Sequence, residues 1–320
     1  MRPLLSLLST EEVERIVSEA CRVLETVGVL VESAQGTRLL REAGAEPAEG
    51  RLRIPERAVR EALASVPSRI EVFDREGQLA LDLGDTRVHF DPGSAAIHVL
   101  DPATGRKRNA VSADLVNLAR LVDGLPHYAA QSTALTPSDV PEGIGDRYRL
   151  FLALKHSRKP IVTGTFKKDG FAPMHAMLAA VRGGVSALAA QPLALFDCCP
   201  TSPLKWSDLT CQALIDCARA QVPAQIVPVP LTGATAPVTL REAVVQHCAE
   251  NLSGIVLHQQ AGRGAPVVFG GAPAAFDMRK GTAVMSAVES LMIDAAYAQV
   301  GQHLGLPTHS YMGLSDAKLP

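Results

Sequence analysis

Between Pro230 and Gly281 the sequence reads PLTGATAPVTLREAVVQHCAENLSGIVLHQQAGRGAPVVFGGAPAAFDMRKG. A strand end, a Gly/Thr/Pro loop, a long helical stretch, a second apolar strand and a second Gly-rich loop follow one another. That is one βα unit with its exit loops intact, and such loops are where α/β enzymes carry their chemistry. The rhythm recurs from Ser112 onward. Candidate parallel strands lie at about 127–132, 160–165, 191–197, 224–229, 265–270 and 306–310. Helical patterns near 144–157, 169–183, 205–220, 238–260 and 282–304 separate them. Such alternation predicts right-handed crossovers and a parallel sheet. Runs such as PLALF and APVVF are almost continuously apolar, as strands covered by helices must be.

Two architectures suit that alternation. A dinucleotide-type doubly wound sheet announces itself with G-x-G-x-x-G after its first strand, and none is present. The sequence also stops at SDAKLP, a few residues past the last candidate strand and before any helix could cover it. The expectation is therefore an α/β chain whose residues 111–320 form a TIM-type (β/α)8 barrel, incomplete, with about six strands present.

Residues 1–110 read as an N-terminal helical and β-meander extension. Ser9 followed by Glu12 forms the signature of a capping box, and Val13, Ile16, Val17, Ala20, Val23, Leu24 and Val27 fall at helical spacing up to Gly28. Pro55 opens a helix running to about Ser65. From 69 to 108 the segments IEVFD, LALDL, RVHFD, AIHVL and GRKRN, split by turn residues, predict an antiparallel meander.

Composition excludes several classes. With 47% apolar and 20% charged residues and a net charge of −2, nothing suggests disorder or a nucleic-acid partner. No run approaches the roughly 18 apolar residues of a membrane span, and the N-terminus lacks a secretory pattern, so a cytosolic chain is expected. Cysteines at 21, 198, 199, 211, 217 and 248 suit buried thiols better than disulfides. A zinc site built from Cys199, Cys211 and Cys217 is conceivable, although the spacing matches no zinc motif and no metal is expected.

In a barrel the exit loops share one mouth. They would comprise 163–166, 196–197, Pro230 to Thr239, Gly270 to Arg279, and Ser310 to Asp316. Phe166, Phe196, Trp206 and Tyr311 offer aromatic faces, and Asp197 and Asp277 negative charge, a mix that suits a small cation without N–H donors. Phe196 ends an apolar strand and suits the core better than a cage, and Trp206 equally suits packing at a helix start. A carboxylate directly after a buried strand is costly unless used or paired, which singles out Asp197. His309 reads as an acid, a ligand or a hydrogen-bonded structural group. Glu250 and Gln259 lie inside the long helix and read as buried or solvated helix residues. No HExxH, GxSxG or P-loop is present, so hydrolase and kinase readings gain no support. Gly233, Gly270 and Gly271, beside Thr235, Thr239 and Ser253, either shape tight turns or leave room for a bulky planar partner.

With LTGATAPVTLREAVVQHCAENLSGIVLHQ the sequence resembles the trimethylamine methyltransferase family, whose members share a G-A-T-A-P-V-T-L loop and an A-E-x-L-x-G-I-V-L helix. FDPGSAAIHVLD at 90–101, SPL at 202–204, GAPVVFGG with FDMRKG at 276–281, and SDAK at 315–318 extend the resemblance over essentially the whole chain. The resemblance implies a (β/α)8 barrel that passes a methyl group from a methylated amine to the Co(I) corrinoid (a cobalamin) of a separate partner protein. No cofactor is then bound permanently. The loops of Gly233, Thr235, Thr239, Gly270, Gly271, Asp277 and Arg279 would face the corrinoid. Phe166, Phe196, Asp197, Trp206, His309 and Tyr311 would hold the substrate.

Two departures sharpen the expectation. The sequence contains only the twenty standard residues, whereas trimethylamine enzymes of this family carry pyrrolysine. By resemblance, members without it act on quaternary amines such as glycine betaine. The family also continues past SDAK, so a C-terminally truncated chain with exposed edges and poor activity is expected. The rival expectations are an inactive barrel that binds a betaine-like cation or a corrinoid protein, and a zinc-assisted corrinoid methyltransferase. A homo-oligomer is expected, without nucleic acid or membrane partners.

Overall fold

The structure, a computed structural model, describes residues 5–93 and 95–314. The SDAK motif and Asp316 lie outside the described residues. The chain forms two compact units: one takes it up to Arg69 and again from Cys198 onward, and the other is Ile70–Asp197. This division runs elsewhere than the 110/111 boundary expected from the sequence. The reason is that the N-terminal helices pack against a helix near residue 250.

Helix α1 (Thr10–Thr26) opens with the expected capping box: Glu12 N donates to Ser9 Oγ (3.2 Å) and Ser9 N to Glu12 Oε2 (2.8 Å). Val13, Ile16, Ala20, Cys21 and Leu24 are its buried stripe. Strand β1 (Leu30–Val31), helix α2 (Ala34–Glu42), the hairpin β2 (Glu46–Ala48) and β3 (Arg51–Arg53), and helix α3 (Glu56–Leu63) follow.

The second unit starts with β4 (Ile70–Phe73) and β5 (Leu79–Leu83), an antiparallel pair, and continues with the separate antiparallel pair β6 (His98–Leu100) and β7 (Lys107–Asn109). The expected continuous meander is thus corrected to two hairpins. The RVHFD segment joins neither, because Phe90 bridges in parallel to Tyr128 and Ala96 to Leu135. Those backbone groups are satisfied outside a meander. Then come α4 (Ser112–Gly124), β8 (Gln131–Ser132), α5 (Gly145–His156), β9 (Ile161–Thr163), α6 (Phe171–Arg182), α7 (Val185–Ala190) and β10 (Ala194–Cys198). Strands β8, β9 and β10 pair in parallel, with Gln131 opposite Ile161 and Ile161 opposite Ala194.

In the first unit β11 (Lys205–Trp206) pairs in parallel with β1. Helix α8 (Asp208–Ala220), β12 (Ala224–Ile226), β13 (Leu231–Thr232), α9 (Leu240–Ala261), β14 (Val267–Phe269), β15 (Ala274–Asp277), β16 (Thr282–Val284) and α10 (Val288–His303) complete it. Strands β12 and β14 pair in parallel. The last candidate strand is reduced to a parallel bridge between Phe269 and Thr308. Phe269 N donates to Pro307 O, and His309 N to Phe269 O, on either side of it. The chain is therefore α/β with parallel strands joined by helices, and each expected helix from 144 onward is present. Among the described residues no helix is long and apolar enough to cross a membrane.

Helix α9 organises the first unit: 16 of its 22 residues are buried, and α1, α2, α3, α8 and α10 all pack on it. A helix buried on every side cannot show an amphipathic stripe. Its polar residues are consequently inside the protein.

Candidate functional site

Side chains alternate between the faces of a strand. In the Ile70–Asp197 unit, Gln131, Ile161 and Ala194 are register partners, as are Thr163 and Phe196. Gln131 Nε2 donates to Ala119 O of α4, and the Phe196 ring packs on Phe171 of α6 at 5.1 Å between centroids. That face is the one covered by helices. Ser132, Val162, Leu195 and Asp197 belong to the opposite face.

Two neighbouring candidates therefore part company. Phe196 is fully buried against α6 and forms core, whereas half-buried Asp197, next to the end of β10, takes the face turned away from the helices. A Cβ on Gly164 would sit 3.7 Å from that of Asp197, which confirms that the ends of β9 and β10 present these positions together.

Phe166 is 44% exposed, but Arg149 of α5 lies over its ring, with the guanidinium carbon 4.6 Å from the centroid. This arginine is buried and donates to Thr133 O and to Thr133 Oγ1 (3.0 Å). Burial lowers its pKa to about 10, against the pull of Asp146 and Asp197, so it stays charged at neutral pH. Asp146, also buried, accepts from Phe166 N (3.0 Å) and Arg147 N (2.7 Å). One face of Phe166 is thus spent on an arginine. The FDPG motif is held at the same strand end, where Ser132 Oγ donates to Gly93 O and Ala96 N to Ala134 O.

In the other unit the same parity holds. Ile226, Phe269 and Thr308 share the helix-covered face, with Phe269 against His247 and Tyr297. Gln225, Gly270 and His309 take the opposite face. A Cβ on Gly270 would lie 3.3 Å from His309 Nδ1, and the Tyr311 ring meets the His309 ring edge-on at 5.1 Å. Gln225, 3% exposed in the middle of an apolar strand, was not singled out by the sequence. An amide in a run otherwise built of apolar residues was the signal for it.

Trp206 lies elsewhere. It is 1% exposed, its Nε1 donates to Ser253 Oγ (2.9 Å) and its ring covers Gly254 of α9. Its ring and its N–H are consumed inside the unit, so the structure corrects its assignment as a substrate-binding aromatic.

The two Gly-rich exit loops meet each other. Leu231 pairs with Ala274 and Thr232 with Ala275, and β15 returns through β16, so the loops build a three-stranded sheet. Gly233 has φ +81°, the left-handed turn that only a glycine takes without strain. Thr235 Oγ1 accepts from Leu231 N (3.0 Å), and Thr239, the N-cap residue of α9, donates its hydroxyl to the Glu242 carboxylate. Asp277 builds the hairpin tip by accepting from Arg279 N and Lys280 N, and Arg279 is exposed there. Gly270 and Gly271 are buried: a Cβ on the first would meet Ile226 O, and on the second His247. Internal packing accounts for both of them, so a corrinoid contact is not what requires glycine there.

Buried polar groups of α9 brace these loops. Glu250 accepts from Ser202 Oγ (2.7 Å), Leu204 N (2.9 Å) and Gln246 Nε2 (3.0 Å), and Gln246 also donates to Thr235 O. The SPL motif, with its cis Ser202–Pro203 bond, is thereby tied to the GATAP loop. Gln259 accepts from Ser65 Oγ and Gly264 N and closes the far end of the helix. Burial pushes the Glu250 pKa up and lowers that of His247 to about 3. On α10, Asp294 is 2% exposed with its pKa raised by burial to about 7, against the opposing pull of the Tyr297 and Ser310 hydroxyls.

For zinc, Cys199 is exposed while Cys211 and Cys217 are buried, and burial holds the Cys211 thiol up at about 12. Among the described residues no three His, Cys, Asp or Glu side chains are placed to hold a metal ion.

Comparisons with known proteins agree with this arrangement. A trimethylamine methyltransferase MttB of Desulfitobacterium hafniense is 30% identical over 314 residues, covering 98% of this chain and 63% of that protein. A glycine betaine methyltransferase of the same species is 26% identical over 319 residues, covering 99% of this chain and 66% of that protein. The chain thus spans about two thirds of the length of these relatives. Among solved structures, a hydroxylamine complex of MtmB superposes with a TM-score of 0.63 at 9% identity, over 95% of this chain and 62% of that one. The Methanosarcina barkeri monomethylamine methyltransferase MtmB gives 0.57 at 9% identity, over 92% and 71%. These likenesses establish a shared fold. The family model described as trimethylamine methyltransferase (MTTB) matches residues 1–320, and the chain belongs to that family.

Proposed function

We propose that this chain serves in transfer of a methyl group from a quaternary or tertiary methylated amine, glycine betaine or a similar molecule, to the Co(I) corrinoid of a partner protein. Its fold is read as a (β/α)8 barrel with about six strands present, the architecture in which C-terminal strand ends carry the reacting residues. Membership of a methyltransferase family supports the reaction class. The observation that carries the amine reading is Asp197, a carboxylate at the C-terminal end of a parallel strand on the face away from the helices. A carboxylate there attracts a cation that offers no N–H.

The corrinoid acts as the second substrate, and Co(I) supplies the electron pair for the new bond to carbon. The C–N bond breaks with its electrons staying on nitrogen, so a quaternary amine leaves neutral and needs no proton. The chain's own task is to orient the N–CH3 bond and exclude water. That task asks for charge and shape rather than an acid–base pair.

The test is optical. A corrinoid reduced to Co(I) is mixed with the chain and a panel of methylated amines, and methyl-Co(III) formation is followed. Signal with glycine betaine but not with trimethylamine is the expected result. Absence of signal with every amine, from a folded sample, would sink the transferase reading and leave a binding role.

A further inference from the structure

The ends of two neighbouring strands in the first unit, Gly270–Gly271 and His309–Ser310, are held from behind by helix α10. The Tyr297 hydroxyl lies 2.9 Å from both Gly271 O and His309 O and gives its one proton into that pair of carbonyls. Its ring is fully buried, stacked on His247 at 4.1 Å and packed on Phe269. One turn earlier on the same helix, Asp294 is 2% exposed, and its carboxyl feels the hydroxyls of Tyr297 and Ser310. Ser310 Oγ accepts in turn from Met312 N (3.0 Å), which fixes the turn carrying Tyr311.

These contacts all fall on the helix-covered side, while His309 lies on the opposite face with Gln225 and Gly270. Nothing in ordinary strand pairing calls for them, since Phe269 N and O already hold Pro307 and His309 N. A buried carboxylic acid and a buried phenol at one strand end cost desolvation that a leucine pair would avoid. Their product is a fixed backbone at His309 and Ser310, and hence a fixed direction for the His309 and Tyr311 side chains.

We propose that Tyr297 and Asp294 are positioning residues of this unit: they hold its strand ends so that His309 and Tyr311 meet the substrate in one orientation. The proposal rests on the methylated-amine reading given above for what the site binds.

The decisive variant is Tyr297→Phe, which keeps the ring on His247 and Phe269 and removes only the hydroxyl. The probe is glycine betaine, titrated calorimetrically into the chain. The expected result is about a tenfold loss of affinity, the size of one lost hydrogen bond at a site, with the thermal midpoint lowered by only a few degrees. The ring-proton resonances of His309, identified by their loss in His309→Gln, should shift in Tyr297→Phe and again in Asp294→Asn. Unchanged affinity in a variant with a lowered midpoint would make the pair merely structural and overturn the proposal. If the unmodified chain binds no methylated amine, the functional reading fails on its own, and positioning is then judged by the His309 resonances alone. Resonances unmoved in both variants would overturn it.

Discussion

The indole of Trp206 packs on α9 at the one point where Gly254 leaves that helix without a side chain. A Cβ there would approach Cζ2 of the indole to 2.6 Å and Ile226 Cδ1 to 2.8 Å. The neighbouring Ser253 receives the indole N–H. Gly254→Ala improves helix propensity yet should destabilise the chain by about 1–3 kcal/mol, because the overlap displaces a fully buried ring. Urea unfolding measures it, and a variant as stable as the parent would contradict the contact.

Glu250 holds three donors at once. Glu250→Ala leaves them buried without their acceptor and should cost about 3 kcal/mol or more. Glu250→Gln keeps the shape and one oxygen for Leu204 N, so its cost should be about 1 kcal/mol. Equal losses in denaturant midpoint for the two variants would show that shape, not acceptor count, sets the penalty.

Asp294 makes the stability depend on pH with a definite sign. Its folded pKa of about 7 lies above the 3.8 of an ordinary aspartate, so the native state keeps a proton that the unfolded chain has lost. The stabilisation is complete below about pH 4 and is lost as the pH rises towards 7, by a few kcal/mol in all. Asp294→Asn removes the titration. Its stability relative to the parent should therefore rise between pH 4 and pH 7 in paired denaturant curves. A pH-independent difference would contradict the assignment.

His247 acts in the opposite direction. Burial holds its pKa at about 3, so the folded chain resists the proton that the unfolded chain accepts near pH 6.5. Its contribution is present above pH 6.5 and is lost as the pH falls towards 3. Gly271→Ala drives a Cβ into this ring and should be among the most damaging single substitutions, with thermal denaturation as the readout.

Asp197 and Phe196, adjacent in sequence, should separate binding from stability. Asp197→Asn is expected to weaken glycine betaine binding by about tenfold with little change in midpoint, as for loss of one partly screened charge. Phe196→Ala should cost about 3–5 kcal/mol of stability through the cavity left against Phe171. Calorimetric titration beside urea unfolding checks both.

Much of this arrangement was legible in the sequence. Ser9 and Glu12 are three residues apart, so their capping box is a local fact, and it stands as read. The apolar runs at 161–163, 194–198, 224–226 and 267–269 declared their strands because helix-covered strands need continuous apolar side chains. Strand β15 was read as loop and β16 as the start of a helix, since β15 is held by β13 from a distant segment and β16 by β15, rather than by their own composition. The 69–108 meander failed for a similar reason: alternation marks strands but does not choose their partners.

The sequence by itself determined the main helices, the parallel character of the main strands and the family, because periodicity and motif spacing act over a few residues. Only the tertiary structure decided which face each side chain takes. Phe196 and Asp197 differ by a single step along β10, yet one packs on α6 and the other lies opposite. Trp206 left the site for the core because Gly254, 48 positions away, makes room for it. Asp294 and Tyr297, silent in a helix without an amphipathic stripe, reach the strand end because α10 lies behind it. Such roles depend on what lies across a packed interface, and burial, not local pattern, sets their chemistry.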